Sequence, residues 1–408
     1  MRILLLSAYD CLSHRYWREN LVAQFPEYDW TVLALPARHF NFRVRTNPVS
    51  WWLADAHTLE QHYDLVIATS LVDIATLRGL FAKLAAAPLL LYCHENQFAY
   101  PASPHVEQAS LAKKSLETQM VFFYGCLCAD KITFNSAWNK HTALRGLDDL
   151  IRRFPEKWDR RLLVAIEQKS QVLPVPLDNN APALSAAVQS KAIKSKAVQS
   201  KAVKSEAISS KVAPSQATPT QQPWQLVWNH RWEYDKGPQY LLAFARALQA
   251  SHLHCTLHVV GQQFRQQPKA FDELEKLLDA GERGSTLRKG VWGFIETRDR
   301  YRALLASCDI VLSTALHDFQ GISVLEAVQA GCRPLLPDQL VYPEQFAAEY
   351  LYRWHTEPQS NASAMLASLL RWYNNGLPAQ PSLAQFEWHE LRESYQQAIN
   401  ALLGQGTR

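Results

Sequence analysis

The chain has 408 residues, of which 48% are hydrophobic and 20% charged, a globular composition long enough for two or three domains. The formal net charge is only +4, which excludes an overwhelming field for nucleic acid but permits a phosphate or RNA partner. The cysteines are scattered with no CxxC spacing, so we expect reduced thiols in a cytoplasmic protein. No apolar run approaches the roughly 20 residues of a membrane span, and no signal-peptide pattern is present.

The first 178 residues alternate short apolar runs with longer amphipathic segments. RILLLS, WTVLAL, YDLVIAT, APLLLYC and KITFNS are near-continuous apolar runs, which is typical of strands buried on both faces. Helical patterns lie between them, such as HRYWRENLVAQF and SLVDIATLRGLFAKLA. This alternation predicts a first βα domain, residues 1–178, with a parallel sheet covered by helices.

Residues 179–222 have a different composition. Their centre repeats five residues as AVQSK, AIKSK, AVQSK, AVKSE and AISSK, with six lysines and no aromatic residue in the whole segment. Such a segment buries too little apolar surface to offset its ordering entropy, so we expect a disordered linker. An unconstrained insertion is the favoured interpretation, and a basic tether for RNA is the alternative.

The βα alternation resumes over residues 223–383. WQLVWN, CTLHVVG, KGVWGF, DIVLST, RPLLP and EYLYR are the strand candidates, and residues 384–408 carry a closing amphipathic helix. Ligands of such sheets bind beyond the carboxyl ends of the strands. With two domains of this type, the cleft between them is therefore the predicted binding site.

Several functional classes are disfavoured by missing motifs. The chain has 14 glycines and contains neither G-x-G-x-x-G nor G-x-x-x-x-G-K-[ST], which argues against nicotinamide enzymes and P-loop NTPases. It also lacks HExxH, DxD and G-x-S-x-G. A zinc protease, a manganese-dependent sugar transferase with a DxD anchor and a serine hydrolase each lose their usual signature.

A cation pair remains as the first positive signal. Arg231 and Lys236 lie in NHRWEYDKGP, between an apolar strand and a helical pattern. Arginine offers a planar fork and lysine a point charge, so a diphosphate would satisfy both. The alternative is an exposed turn whose cations pair with the nearby Glu233 and Asp235.

The second signal is STALHDFQGISVLEAVQAGCRPLLP. A strand ends near Ser313, and a helix is predicted to start near Ile322 after a loop with Gly321. The free amides of that helix start would bind an anion, and the glycine allows close approach. Asp318 and Glu326 bracket the loop and would bind hydroxyl groups, which suits a sugar nucleotide. The alternative is a helix cap and a solvated carboxylate.

The order of these motifs resembles the retaining nucleotide-sugar glycosyltransferases of family four, which have the GT-B fold of two Rossmann-like domains. Their E-x7-E motif is similar to Asp318-x7-Glu326, with Asp in place of the first Glu. LLLYCHENQFAYP, PARHFNFRVRT, FNSAWN, WNHRWEYDKGP and DQLVYPEQFAAEYLY together resemble the tRNA-queuosine alpha-mannosyltransferase family. Ser13-His14 follows Cys11-Leu12 where that family usually carries a glycine pair.

The resemblance implies a role for each matching residue. Residues 1–178 would be the acceptor domain and residues 223–383 the donor domain. The implied catalytic residues are His94, Arg231, Lys236 and Asp318. The implied donor-binding residues are Ser13, His14, Ser136, Arg231, Lys236, Phe319, Gln320, Gly321, Ile322 and Glu326. The implied acceptor-binding residues are Arg38, His39, Phe40, Phe42, Arg43, Arg45, Glu95, Asn96 and Gln97.

The implied reaction moves mannose from GDP-mannose to queuosine in a tRNA of the tRNA-Asp type. The resemblance further implies a monomer, no metal or other cofactor, and same-face attack with retention. The segment Arg38–Trp52 interleaves three arginines and a histidine with four aromatic residues, which is how single-stranded RNA is often bound. An amphipathic loop packed on its own domain is the alternative there. A glycan, lipid or metabolite acceptor, or a non-catalytic protein that binds nucleotide sugar or RNA, also remains open.

Overall fold

The computed structural model describes residues 1–100, 108–178, 223–264, 267–281 and 286–403, and there the strands form two parallel sheets of six. The predicted disorder of residues 179–222 lies outside these ranges. The strands are β1 (Arg2–Asp10), β2 (Asp29–Pro36), β3 (Leu65–Thr69), β4 (Leu89–Cys93), β5 (Lys131–Phe134), β6 (Ser170–Val172), β7 (Trp224–Trp228), β8 (Cys255–Val260), β9 (Leu287–Gly293), β10 (Ile310–Leu312), β11 (Arg333–Pro337) and β12 (Leu351–Tyr352).

The α-helices cover the faces of the two sheets. They are α1 (Leu12–Gln24), α2 (Phe40–Leu59), α3 (Ile74–Leu80), α4 (Ala82–Ala86), α5 (Gln108–Cys128), α6 (Ala137–Arg153), α7 (Arg161–Gln168), α8 (Pro238–Gln249), α9 (Ala270–Asp279), α10 (Arg298–Ala306), α11 (Ile322–Gln329), α12 (Tyr342–Gln345), α13 (Pro358–Asn375) and α14 (Trp388–Leu403). Of the described helices, none combines the length and the apolar composition that a membrane crossing requires.

The first sheet has the strand order β2-β1-β3-β4-β5-β6, and all its neighbouring strands are parallel. β3 and β4 are buried along their whole length, because helices pack on both faces of such a sheet. The five apolar runs predicted as strands in this half are confirmed. β6 was not predicted, since its SQV sequence contains one apolar residue.

The second sheet has the order β12-β11-β10-β7-β8-β9, again with parallel neighbours. The six predicted strands of this half are confirmed. β7 and β10 are adjacent, so the loops that follow them leave the same edge of the sheet side by side. The indole nitrogen of Trp228, the last residue of β7, donates to Thr314 Oγ1 at 3.0 Å. Thr314 Oγ1 in turn donates to the Lys236 carbonyl at 2.9 Å and so ties the two loops together.

Two helix predictions differ from the structure. The segment SLVDIATLRGLFAKLA is not one helix: α3 begins only after Asp73, whose side chain accepts from Thr76 N, and the chain breaks at Phe81. The segment Arg38–Trp52 is mostly helical rather than a loop. α2 continues through Pro48, which has no N–H for the Val44 carbonyl, because Asn47 Nδ2 donates to that carbonyl at 2.8 Å.

The end of the chain returns to the first domain. α14 packs on the first sheet, where Trp388 and Tyr395 join the same buried cluster as Leu5 and Trp17. Trp17 Nε1 donates to Tyr395 Oη at 3.0 Å. Helix α14 therefore completes the core of the first domain, although it follows the second domain in sequence.

Side chains from the loops of the second domain also bind the first domain at one edge of the cleft. The carboxylate of Glu344 on α12 accepts from the N–H groups of Ala137 and Trp138, at 2.9 and 2.8 Å, and so caps the start of α6. The amide of Gln320 pairs with both backbone groups of Val175, at 2.9 and 2.7 Å. These contacts hold the carboxyl ends of the two sheets face to face.

Candidate active site

The two cations lie together after β7. The Arg231 side chain is 45% exposed, whereas Lys236 is buried and donates from Nζ to the His317 carbonyl at 2.6 Å. Gly237 follows with a φ of 65°, and a Cβ there would lie 2.1 Å from the Thr314 carbonyl oxygen. Glycine is therefore required for this turn to approach the loop after β10.

Three carboxylates surround these cations. Arg231 forms an ion pair with Glu233, and its other nitrogen lies 3.6 Å from Asp235. Lys236 lies 3.4 Å from Asp235 and 3.8 Å from Asp318. Burial is the largest influence on Asp235 and Asp318 and would raise the pKa of each, but the charge of Lys236 acts together with smaller contributions from neighbouring groups and lowers both pKa values. Arg231 and Lys236 thus pair with Glu233 and Asp235, as the alternative interpretation has it, but the turn is not exposed, since Asp235 and Lys236 are buried.

The loop after β10 is shaped around Asp318. Its Oδ1 accepts from Gly321 N at 2.9 Å and its Oδ2 from Tyr342 Oη at 3.1 Å. Gly321 has a φ of 66° and caps α11, which begins at Ile322 as predicted. Glu326 lies on this helix, 3.6 Å from Arg298, and burial raises its pKa more than Arg298 lowers it. Asp318 and Glu326 therefore flank the positive end of α11.

The side chains between these two acids point in different directions. Phe319 is buried with its ring edge-on to His317 at 4.4 Å. Gln320 is engaged with Val175, as described above, and Ile322 packs against the core of the first domain. Of the predicted donor-binding run Phe319–Ile322, the side chains of Gln320 and Ile322 thus join the two domains.

The first domain contributes a pair of stacked histidines. His94 follows β4 and lies parallel to His14 of α1, with a ring separation of 4.1 Å. His14 Nε2 lies 2.9 Å from Glu95 Oε2, and Ser70 Oγ donates to the other oxygen of Glu95 at 2.8 Å. Burial, followed by the charge of His14, places the pKa of His94 well below its usual value. Burial opposes a charge on His14, but Cys11 and Glu95 raise its pKa well above the usual value.

Other predicted site residues of the first domain have internal partners. Asn96 is fully buried, and its Nδ2 donates to Asn139 Oδ1 at 2.9 Å and to Thr142 Oγ1 at 2.8 Å. Ser136 caps α6 by accepting from Asn139 N at 3.0 Å. Gln97 is partly buried, and its carbonyl accepts from Gln119 at 3.5 Å. Ser13 is exposed at the start of α1.

The predicted acceptor segment forms the start of α2. Arg38, His39 and Phe42 are exposed, the last by 73%. Together with Arg43, Thr46 and Ser50, His39 and Phe42 line a shallow pocket of about 290 Å³. Arg45 is half exposed but pairs with Asp73 at 2.6 Å.

One contact connects α2 to the cations. Phe40 packs edge-on against Tyr9 at 5.4 Å, and Tyr9, at the end of β1, lies within the electrostatic range of Arg231 and Glu233. The helix therefore begins at the rim of the cleft that holds the cations. Within the described part of the chain, no group of three or more His, Cys, Asp and Glu residues is arranged to hold a metal ion, and independence from metal stays a prediction.

Comparison with known proteins tests the family resemblance inferred from the sequence motifs. The family model for the N-terminal part of tRNA-queuosine alpha-mannosyltransferase matches residues 2–177, and the model for glycosyl transferases group 1 matches residues 213–388. A Drosophila melanogaster protein named tRNA-queuosine alpha-mannosyltransferase is 27% identical over 351 residues, which cover 86% of this chain and 83% of the fly protein. The resemblance of the chain to the tRNA-queuosine alpha-mannosyltransferase family is therefore confirmed.

Solved structures agree with the GT-B fold of this family. Sucrose-phosphate synthase from Thermosynechococcus elongatus has a TM-score of 0.64 at 15% identity, over 99% of both chains. Anabaena HepE, solved with UDP and glucose, has a TM-score of 0.57 at 14% identity, over 98% of this chain and all of its own. These structures confirm the predicted fold, and the group 1 family model together with the Drosophila relative confirms the prediction of a glycosyltransferase.

The cleft also contains residues that sequence reasoning missed. Tyr100 of the first domain stacks on His317 of the second at 4.0 Å, and Tyr342 positions Asp318. Both tyrosines lie inside motifs that identified the family, HENQFAYP and LVYPE. Burial, followed by the charge of Lys236, lowers the pKa of His317 to about 4, which only the assembled site explains.

Proposed function

We propose that the chain transfers mannose from GDP-mannose to queuosine in the anticodon loop of a tRNA. The observation that carries this proposal is the joining of Arg231, Lys236, Asp318 and the start of α11 in one cleft. The acceptor is inferred from the family and from the name of the Drosophila relative.

The donor diphosphate would bind the two cations. Arg231 is the accessible one, and its partner Glu233 has a pKa that burial raises. The half-exposed guanidinium fork of Arg231 would bind two oxygens of the diphosphate in a bidentate manner in place of Glu233. Lys236 is fixed by the His317 carbonyl and would stabilise the charge that develops on the leaving diphosphate.

The remaining parts of the donor would fit the two acids of the loop. Asp318 is held on both sides by Gly321 and Tyr342, so its carboxylate is positioned to accept a hydrogen bond from a hexose hydroxyl. Glu326, four residues after the start of α11 at Ile322, would bind the ribose. Same-face attack then lets the leaving phosphate take the proton of the acceptor hydroxyl, and no metal is needed to neutralise the diphosphate.

The acceptor would lie along the start of α2. Phe42 exposes most of its ring beside Arg38 and His39, and an exposed ring with nearby cations is a platform on which an unpaired base stacks. The contact between Phe40 and Tyr9 joins this platform to the cation site. A loop nucleotide bound there would reach into the cleft from its rim.

The test is transfer of radiolabel from GDP-mannose to tRNA by the full-length chain. Two matched tRNA pools are compared, one from cells grown with queuine and one from cells grown without it, so that only queuosine differs. We expect label only on the pool that contains queuosine. Equal labelling of both pools, or labelling of neither while GDP-mannose still binds, would refute the proposed acceptor.

A further inference from the structure

Cys11 differs from the other cysteines of the chain in its surroundings. Five of the seven thiols are buried, and Cys11 and Cys128 are partly exposed. Burial raises the pKa of Cys128. Cys11 instead precedes the 13-residue helix α1 as its N-cap residue, where free amides favour a thiolate.

Cys11 also lies near a buried histidine that a carboxylate holds in place, and its Sγ is 3.3 Å from Ser13 Oγ. His14 lies one turn further along α1, and its Nε2 is fixed by Glu95 at 2.9 Å. The other ring nitrogen, Nδ1, is buried and makes no hydrogen bond to a further group in the described chain, so it is available to the thiolate. Ser70 holds the second oxygen of Glu95 at 2.8 Å. Cysteine, histidine and carboxylate thus follow one another as in sites with an activated thiol.

The remaining charged or titratable groups facing Cys11 come from three other elements. They are Tyr9 at the end of β1, Tyr100 beyond β4, and Arg231 beyond β7. Burial would raise the pKa of the thiol, but the charge of His14 and the interactions with His14 and Ser13 lower it to about 7. About half of the Cys11 thiol is therefore ionised at pH 7, and its partial exposure leaves the sulfur accessible.

We propose that Cys11 is a modification site that reacts with hydrogen peroxide. The thiolate sulfur attacks one peroxide oxygen, the O–O bond breaks, and an S–O bond forms. The sulfur loses two electrons to peroxide and becomes a sulfenic acid, while the departing hydroxide takes a proton from the His14 imidazolium and leaves as water. A low-molecular-weight thiol then reacts with the sulfenic acid to form a mixed disulfide and water. A second thiol reduces this mixed disulfide and restores Cys11.

The modification would also affect catalysis, a consequence that rests on the proposed function. The oxygen would be added in the cleft that holds Arg231, whose charge already acts on the Cys11 thiolate. It would remove the negative charge of the thiolate and the proton of His14 together. Transfer of mannose would therefore fall on oxidation and recover on reduction.

The direct test needs no substrate. The full-length protein is treated with peroxide at pH 7, trapped with a dione probe specific for sulfenic acid, and analysed by peptide mass spectrometry. Cys128 is the internal control, because it is also partly exposed but no histidine acts on its pKa. We expect at least about 10-fold faster trapping at Cys11 than at Cys128, with a midpoint near pH 7. Equal rates at the two cysteines would overturn the proposal.

Two further comparisons distinguish the mechanism. His14→Asn should slow trapping at Cys11 by about 10-fold and raise the midpoint pH of trapping. Glu95→Gln should act in the same direction. Unchanged trapping rates in variants with native circular dichroism would overturn the role of His14 and Glu95. Cys11→Ser, which keeps a good N-cap, should make mannose transfer insensitive to peroxide relative to its own untreated sample. If peroxide reduced mannose transfer by Cys11→Ser as much as transfer by the wild type, the effect on catalysis would be refuted. If the wild type transferred no mannose at all, the proposed function would be refuted, but the trapping result would stand.

Discussion

The ammonium group of Lys236 lies 3.8 Å from the carboxylate of Asp318. The two residues are 82 positions apart in sequence but follow adjacent strands, β7 and β10, so the sheet order itself brings them together. Asp318 also receives bonds from Tyr342 and Gly321. The proposed donor site is thus organised by the protein's own groups, with its buried cation compensated by nearby acids.

Arg231→Ala should lower the rate of transfer by about 100-fold to 1,000-fold, because it removes the positive charge that would stabilise the leaving diphosphate. The fold should be unaffected, since the side chain is nearly half exposed. Arg246→Ala is the matched control, because Arg246 is similarly exposed and pairs with Glu273 at 3.0 Å. Initial rates and circular dichroism are measured together. Loss of the native spectrum in Arg231→Ala alone would make Arg231 a structural residue.

Lys236→Ala should reduce both transfer and stability. Its removal leaves the partly buried carboxylate of Asp318 without its cation and the buried carboxylate of Asp235 with Arg231 as its remaining cation, and such a loss costs about 3 kcal/mol. Urea unfolding, followed by tryptophan fluorescence, measures the free energy of unfolding. The double variant Lys236→Ala with Asp318→Asn should recover part of the stability without recovering transfer. A single variant as stable as the wild type would contradict the pairing.

His317 should make stability depend on pH. Its folded pKa of about 4 lies below the unfolded value of 6.5, so the unfolded chain binds more protons between these values and stability falls as pH falls through that window. Between pH 7 and pH 5 this group alone costs about 2 kcal/mol. His317→Gln should flatten the dependence, and His141→Gln, at an exposed site, should not. Equal slopes in both variants would refute the assignment.

Glu344→Ala should loosen the closed arrangement of the domains. The carboxylate caps α6 across the cleft with two hydrogen bonds, and losing a cap costs about 1 kcal/mol. Small-angle X-ray scattering should therefore show a larger radius of gyration for this variant without donor. Glu167→Ala, which changes an exposed carboxylate on α7, should leave the radius unchanged. Identical radii for all three proteins would mean that Glu344 does not hold the cleft.

Local sequence patterns predicted most of the sheets and the positions of the key loops. The apolar runs gave the strands because a strand covered on both faces must be apolar along its whole length. The position of Arg231 and Lys236 near Asp318 follows from the rule that the carboxyl ends of parallel strands meet at one edge of the sheet. The short β6 carries too little apolar sequence to be recognised.

Contacts between distant parts of the chain could not be predicted in this way. The stacking of Tyr100 on His317 and the capping of α6 by Glu344 depend on how two domains meet. The helix through Pro48 depends on a side-chain bond from Asn47 to the freed carbonyl. In each case, the decisive partner is a tertiary contact or a bond that the residue pattern does not display.

The most direct measurement is mass spectrometry of tRNA nucleosides after incubation with the purified chain and GDP-mannose. We predict a new nucleoside that is one hexose heavier than queuosine. It should be formed by the wild type and by Arg246→Ala but not by Arg231→Ala. Unmodified queuosine in every sample, with GDP-mannose bound by the wild type, would contradict mannose transfer to this acceptor.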